Sequence, residues 1–323
     1  MPTVSVILNC YNHEPYVGEA IESVLNQSLE DFELILIDNG STDRTRAVLE
    51  RYDDPRIRRV FYDSNESLSK RLNEGVAMAQ GEFVAILYSD DYMLADKLER
   101  QVALFRELPE DYGVVYCPAL GFNQLTGERW QHPSMEVSGS MLPNMLDQHM
   151  RGQLDMSSPL TRRDCFRRYC WYDDLPFEGE AIFLRIGIGW KFKFDPQPTV
   201  VLRDHDSNAG KAILRNHEAF MEVLRRLEQE PEFQPQWHSP LQRLRGRASG
   251  GIGWSMLRCG GANVSWARRQ LLAAIGYDLL QLANPRLIAG LLLAIIPRFA
   301  RNSANRIGNL LRQNPANSNI VET

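Results

Sequence analysis

Apolar residues in the first hundred positions switch between two spacings. Val4–Leu8 is a short β-branched run, whereas Val17, Ala20, Ile21, Val24 and Leu25 recur at the spacing of one helix face. Phe32–Ile37 is an apolar run broken by one Glu and closed by the turn-formers Asp38-Asn39-Gly40-Ser41. Ser41 or Thr42 is the expected N-cap of a helix running through Leu49. Ile57–Phe61 reads as a third strand, and Leu68, Leu72, Val76 and Ala79 form the next helix face, ended by Gly81. Phe83–Leu87 is a fourth strand, and a helix carrying Leu94, Leu98, Val102 and Phe105 follows. This alternation predicts an α/β fold, a Rossmann-like, mostly parallel sheet flanked by helices on both faces. Ligands of such sheets sit beyond the carboxyl ends of the strands. Three polar clusters lie at such ends: Asn9–Asn12, Asp38–Asp43 and Ser89-Asp90-Asp91.

Beyond Tyr112 the pattern changes. Val114-Val115-Tyr116 reads as a strand, Thr126-Gly127-Glu128 as a hairpin turn, and Phe192–Val201 as strand-like alternation. After Asn208 the chain turns helical, with Phe220, Val223, Leu224 and Leu227 on one face. The glycines at 250–253 and Gly260-Gly261 are expected in loops between helices. The 323 residues suffice for one large domain plus an appendage, and the boundary is placed near 210: an α/β domain over 1–210 and a helical basic region over 211–323.

Composition narrows the setting. The 44% hydrophobic and 24% charged content is that of a folded soluble protein. Five cysteines without a CxxC pair point to a reducing cytoplasm and away from a cysteine-built zinc site. The start reads as a first strand rather than a signal peptide. Net charge is −5, but residues 239–323 hold eleven arginines against two acids, so that region carries +9 and residues 1–238 carry −14. A basic tail on an acidic body suggests an anionic partner: a membrane surface, a lipid phosphate or another subunit. Nucleic acid is not expected, because no reading module accompanies the arginines. Leu287–Ile296, bracketed by Pro285 and Pro297 and flanked by Arg286, Arg298, Arg301 and Arg306, is strongly apolar but about half a bilayer span. It is either a buried packing helix or an interfacial helix at the inner face of the cell membrane, not a transmembrane one.

Ser89-Asp90-Asp91 directly follows a buried strand. Paired carboxylates there repel unless a cation neutralises them, and their hard oxygens suit Mg²⁺ or Mn²⁺, which bridge phosphates. A turn leading into a helix N-cap accounts equally for two aspartates. The surrounding motifs add specificity. Val4–Leu8 into Tyr11-Asn12-His13-Glu14, Ile21–Ser28, Phe32–Asp43, Asn73-Glu74-Gly75, and Ala79–Ala85 into Ser89-Asp90-Asp91 together resemble family-two glycosyltransferases of the GT-A fold, in order and spacing.

That resemblance implies a nucleotide-binding set of Tyr11, Asn12, Glu14, Asp38, Asn39, Arg71 and Asp90. Tyr11 would stack on the base, Asn39 would meet its edge, and Asp90 would lie near ribose and phosphates. Asp91 would ligate the metal, and His205 of an Arg203-Asp204-His205 element would join it there or touch the diphosphate. Leu72 stands where the family often has Arg; Lys70 or Arg71 would reach phosphate instead, or belong to a solvated helix face. The family's Glu-Asp pair is broken: Gly179 occupies the Asp position, so Glu180 is the expected base, with Glu178 second. The implied activity moves a sugar from an NDP-sugar, UDP or dTDP, to a hydroxyl of a glycan or glycolipid acceptor, with metal assistance and inversion. The alternative is a non-catalytic nucleotide-sugar-binding or scaffold protein that has lost the base.

Overall fold

The computed structural model describes residues 1–148, 156, 158–175, 179–206, 208, 213–258 and 263–295. The chain forms two compact units. One comprises Met1–Leu142, Gln153–Val223 and Gln229–Glu232; the other comprises Pro143–Gly152, Leu224–Glu228 and Phe233–Thr323.

The first unit opens with β1 (Val4–Cys10), α1 (Val17–Leu25), β2 (Phe32–Asn39), α2 (Thr45–Leu49), β3 (Ile57–Tyr62), α3 (Leu68–Met78) and β4 (Phe83–Tyr88). It continues through β5 (Tyr92–Met93), α4 (Lys97–Glu107), β6 (Tyr112–Tyr116), β7 (Leu120–Asn123), β8 (Arg129–Gln131) and β9 (Gly139–Ser140). Beyond α5 (Leu142–Gln148), which belongs to the second unit from Pro143 on, come β10 (Leu160–Arg162), α6 (Arg163–Arg168), a 3₁₀ turn at Gly179–Ala181, α7 (Ile182–Gly189), β11 (Lys191–Phe194), β12 (Val200–Asp204) and α8 (Ile213–Leu227), whose last residues from Leu224 on also belong to the second unit.

An eight-stranded sheet runs β3-β2-β1-β4-β10-β6-β11-β9, and a four-stranded sheet runs β5-β12-β7-β8. The first four strands are mutually parallel, and β10 inserts antiparallel between β4 and β6. Both faces of β1 are covered, which is why its seven residues are all buried. On one face α1 sets Val17, Ala20, Ile21 and Val24 against Val4, Val6 and Leu8. On the other α3 comes so close that a Cβ on Gly75 would lie 2.7 Å from Ile7 Cγ2. A glycine is what that approach requires.

Two local expectations are corrected. The helix after β2 starts at Thr45, not at Ser41 or Thr42, because Ser41 Oγ and the Thr42 N–H are taken by the backbone N–H and side-chain Oδ1 of Asn12. Residues 192–201 form two strands in different sheets, β11 and β12, rather than one alternating run.

In the second unit α9 (His238–Arg258), α10 (Val264–Tyr277) and α11 (Pro285–Leu293) pack around Leu257, Ala267, Leu271, Ala274 and Leu287. Gly250, Gly251 and Gly253 lie inside α9, not in a loop. A Cβ on Gly253 would stand 2.9 Å from the Ala267 carbonyl, so the glycine serves close helix approach. Gly260 and Gly261 lie outside the described residues. Asn284 caps α11 by accepting the Arg286 N–H, and Pro285 occupies its first turn. Among the described residues no helix is long and apolar enough to cross a membrane.

Candidate active site

Parallel registry brings the three polar strand ends level. Asn9 of β1 stands between Ile37 and Tyr88, and Cys10 is paired with Asp38. The chain leaves β1 through Asn12 at φ 54°. This left-handed turn suits Asn, whose side chain bonds locally. Asn12 Oδ1 accepts the Thr42 N–H at 2.8 Å, and the Glu14 N–H donates to Asp43 Oδ2 at 3.1 Å. Burial works to raise the Asp43 carboxyl, but hydrogen bonds from Thr45 and the Glu14 N–H outweigh it and hold that group below the usual carboxylate range. Glu14 itself pairs with Arg44 at 3.1 Å. Tyr11 leaves its ring 38% exposed at the mouth.

Asp38 is buried and accepts the Ser41 N–H at 3.1 Å. Asn39 has every hydrogen-bonding position used. Its Nδ2 donates to Asn65 Oδ1 and the Glu66 carbonyl, while Oδ1 accepts from the Glu66 N–H and Arg71 Nε. Through these bonds Asn39 moors the 64–66 loop. Arg71 is likewise engaged within the protein. It is 2% exposed, lies 3.4 Å from the Tyr62 ring centroid, and donates to Asn39 and to Glu74 Oε2. Lys70 is engaged by Glu66.

Asp90 and Asp91 diverge. Asp91 Oδ1 accepts the backbone N–H of Arg203 at 2.9 Å and is 8% exposed. Asp90 Oδ2 lies 3.1 Å from His205 Nε2 and accepts from Asn208 Nδ2 at 3.2 Å. His13 joins them, its Nδ1 2.7 Å from Ser89 Oγ. One ligand atom each from His13, Asp90 and His205 falls within 4.8 Å of the others, so this group could hold a metal. Tyr16 stacks on His205 with centroids 4.5 Å apart, locking the ring. Burial pushes the His13 imidazole below the usual histidine range, against the pull of Asp90, which keeps it neutral and able to ligate. Beneath the group, burial drives the Cys10 thiol up, so it stays protonated.

Two imidazoles and a carboxylate fit a divalent cation.

Arg203 holds the arrangement together. It is 6% exposed, Nε donates to the Asp90 carbonyl at 3.0 Å, and the guanidinium engages Glu19 and Gln124. Sequence reasoning left His13 and Asn208 unassigned. The available signal was that His13 follows a strand end directly. Glu180 lies in the 3₁₀ turn before α7, and Glu178 lies outside the described residues. Gly179 has φ 55°, a conformation that disfavours side chains. A cavity of about 230 Å³ lined by Asn73, Val76, Arg163 and Phe166 contains none of the His13, Asp90 and His205 group.

The family model for Glycosyl transferase family 2 matches residues 5–167. A putative teichuronic acid biosynthesis glycosyltransferase, TuaG of Bacillus subtilis, is 32% identical over 174 residues, 50% of this chain and 69% of that protein. An uncharacterized glycosyltransferase of Haemophilus influenzae is 40% identical over 104 residues, 32% of this chain and 42% of that protein. Among solved structures, S. aureus TarS 1–349 in complex with UDP-GlcNAc superposes with a TM-score of 0.64 at 16% identity, covering 95% of this chain and 92% of that one. The mannosyltransferase PcManGT of Pyrobaculum calidifontis, in complex with GDP-Man and Mn²⁺, gives 0.59 at 16% identity, covering 97% and 88%. At these identities the likeness shows the fold alone, the GT-A α/β fold.

Proposed function

The chain belongs to glycosyl transferase family 2, and we propose that it transfers a sugar from an NDP-sugar, UDP or dTDP, to a hydroxyl of a glycan or glycolipid, with inversion. The transfer chemistry is assigned to residues 1–210, and the basic region 211–323 to placing the enzyme at the inner face of the cell membrane. The observation that carries the reading is the convergence of His13, Asp90 and His205 at the level ends of β1 and β4, beside the open ring of Tyr11. Surface polysaccharide assembly is supported by the teichuronic acid relative, and a nucleotide-sugar donor with Mn²⁺ by the ligands named for the fold neighbours.

Each residue then has a task. Tyr11 offers its face to the base, and the Asn12 turn with Glu14 and Asp43 shapes the rim above Asp38. Asn39 and Arg71 act on the nucleotide only by fixing the 64–66 loop. His13, Asp90 and His205 would hold the cation, while Asp91 fixes β12 so that His205 arrives. When bound, the cation offsets charge growing on the departing nucleoside diphosphate. Glu180 takes the proton from the acceptor hydroxyl as it attacks, with Glu178 as the second candidate.

The test is a binding screen of UDP-, dTDP- and GDP-sugars with and without Mn²⁺, followed by turnover with acceptor glycans. Binding of a UDP- or dTDP-sugar that strengthens with Mn²⁺ is expected. Indifference to every nucleotide sugar would remove the reading, and tight binding without transfer would favour the non-catalytic alternative.

A further inference from the structure

The stretch 279–295 is unusual for a folded surface. Leu280, Leu292 and Ile295 are 72%, 63% and 77% exposed, and Leu279, Leu282 and Ile288 join them. On α11 the exposure is ordered. Leu287 and Gly290 are buried toward the core of the second unit, while Ile288, Leu292 and Ile295 recur at helical spacing on the opposite side. The helix is therefore apolar on both faces, and its outer face meets no protein among the described residues. Folded monomers rarely leave such apolar surface contiguous and open without using it.

Charge decides what covers it. Arg268, Arg269 and Arg286 are exposed on the same part of the chain. From residue 239 to 321 the one acid is Asp278, and its carboxylate is occupied by the Leu280 N–H and Gln281 Nε2. The sequence continues with Arg298, Arg301, Arg306 and Arg312, which lie outside the described residues, as does Ile296. Two copies meeting through this face would bring arginines together with no acids to answer them. An anionic lipid surface answers both features, taking the leucines and isoleucines into its acyl boundary and the guanidiniums against its headgroups.

We propose that Leu279, Leu280, Leu282, Ile288, Leu292 and Ile295 form a membrane-docking face that lies in the interface of an anionic bilayer without crossing it. This deepens the proposed action on a membrane glycan or glycolipid and rests on that reading for its purpose. The binding is therefore measured with neither donor nor acceptor present.

The full chain is floated with vesicles of phosphatidylglycerol and phosphatidylcholine, and with phosphatidylcholine alone, at low and high salt. Binding to the anionic vesicles that weakens with salt is expected. Ile288→Glu and Leu292→Glu should each weaken partitioning by about tenfold or more, the size expected for withdrawing one large aliphatic side chain from an apolar phase. Both sites are exposed, so melting temperature should not change. Failure to float on anionic vesicles at low salt, or flotation unaltered in both variants, would overturn the proposal. A lipid-free dimer by light scattering that Ile288→Glu dissociates would assign the face to a second copy instead.

Discussion

Replacing Asp90 and Asp91 one at a time by Ala separates two roles that adjacent carboxylates obscure. Asp91 is 8% exposed and accepts the Arg203 N–H at 2.9 Å, which ties β12 to the turn after β4. A hydrogen bond to a charged acceptor contributes about 1.5–3 kcal/mol. In a chain of this size each kcal/mol shifts the melting temperature by roughly 2–4 °C, so Asp91→Ala should melt roughly 3–12 °C lower. Its Mn²⁺ affinity should stay near that of the parent, since His13, Asp90 and His205 all remain. Asp90→Ala should do the reverse. It deletes the one anionic member of the group, and the stability lost with its Asn208 and His205 contacts is offset in part by relief of charge repulsion. Mn²⁺ affinity should fall by more than the roughly 10–100-fold that losing an outer-shell partner costs. Manganese titration followed by electron paramagnetic resonance, with and without UDP, reads the affinity, and scanning calorimetry reads the stability. If Asp91→Ala loses manganese at an unchanged melting temperature while Asp90→Ala keeps it, Asp91 is the ligand and the grouping described above is wrong.

Glu180→Gln should slow transfer by about 10²–10⁴ with donor binding unaffected, and a slower Glu178→Gln would move the base. Burial lowers the fully buried Lys97 ammonium from 10.5 to about 8, although its Nζ donates to Gln101 Oε1 and the Ser158 carbonyl. Between those two values the unfolded chain holds a proton the native state has released. Relative to Lys97→Met, the parent should therefore gain stability with rising pH across that window, by roughly 3 kcal/mol in all, and a pH-independent difference in urea midpoints would contradict it. Gly81→Ala places a Cβ 2.6 Å from the Ser5 nitrogen and 2.7 Å from the Val4 carbonyl carbon, backbone atoms that cannot yield. A loss of about 3 kcal/mol is expected in chemical denaturation, and a near-neutral result would mean the turn before β4 and the start of β1 are not this close.

The order of strands and helices through the first hundred residues was legible because burial of one face imposes a period on the local sequence. Val4–Leu8, Val17–Leu25 and Phe32–Ile37 each declare their element without help from the rest of the chain. The same reading marked the three polar strand ends as one edge, since parallel strands with helical crossovers leave their carboxyl ends together. Composition also marked the basic, apolar C-terminal stretch.

What each polar side chain does at that edge was not legible. Ser41 caps no helix because Asn12 claims it from another strand end. The amide of Asn39 is spent on the 64–66 loop and Arg71. His13 meets Asp90 and His205 only because β12 pairs with β5, next to Asp91, in a second sheet. The glycines of α9 look like a loop in one dimension and like a helix contact in three. Periodicity records which face of an element is covered. A ligand set depends on the register of elements far apart in sequence, and hydrogen-bond partners are won in competition among groups that only the folded chain brings within reach.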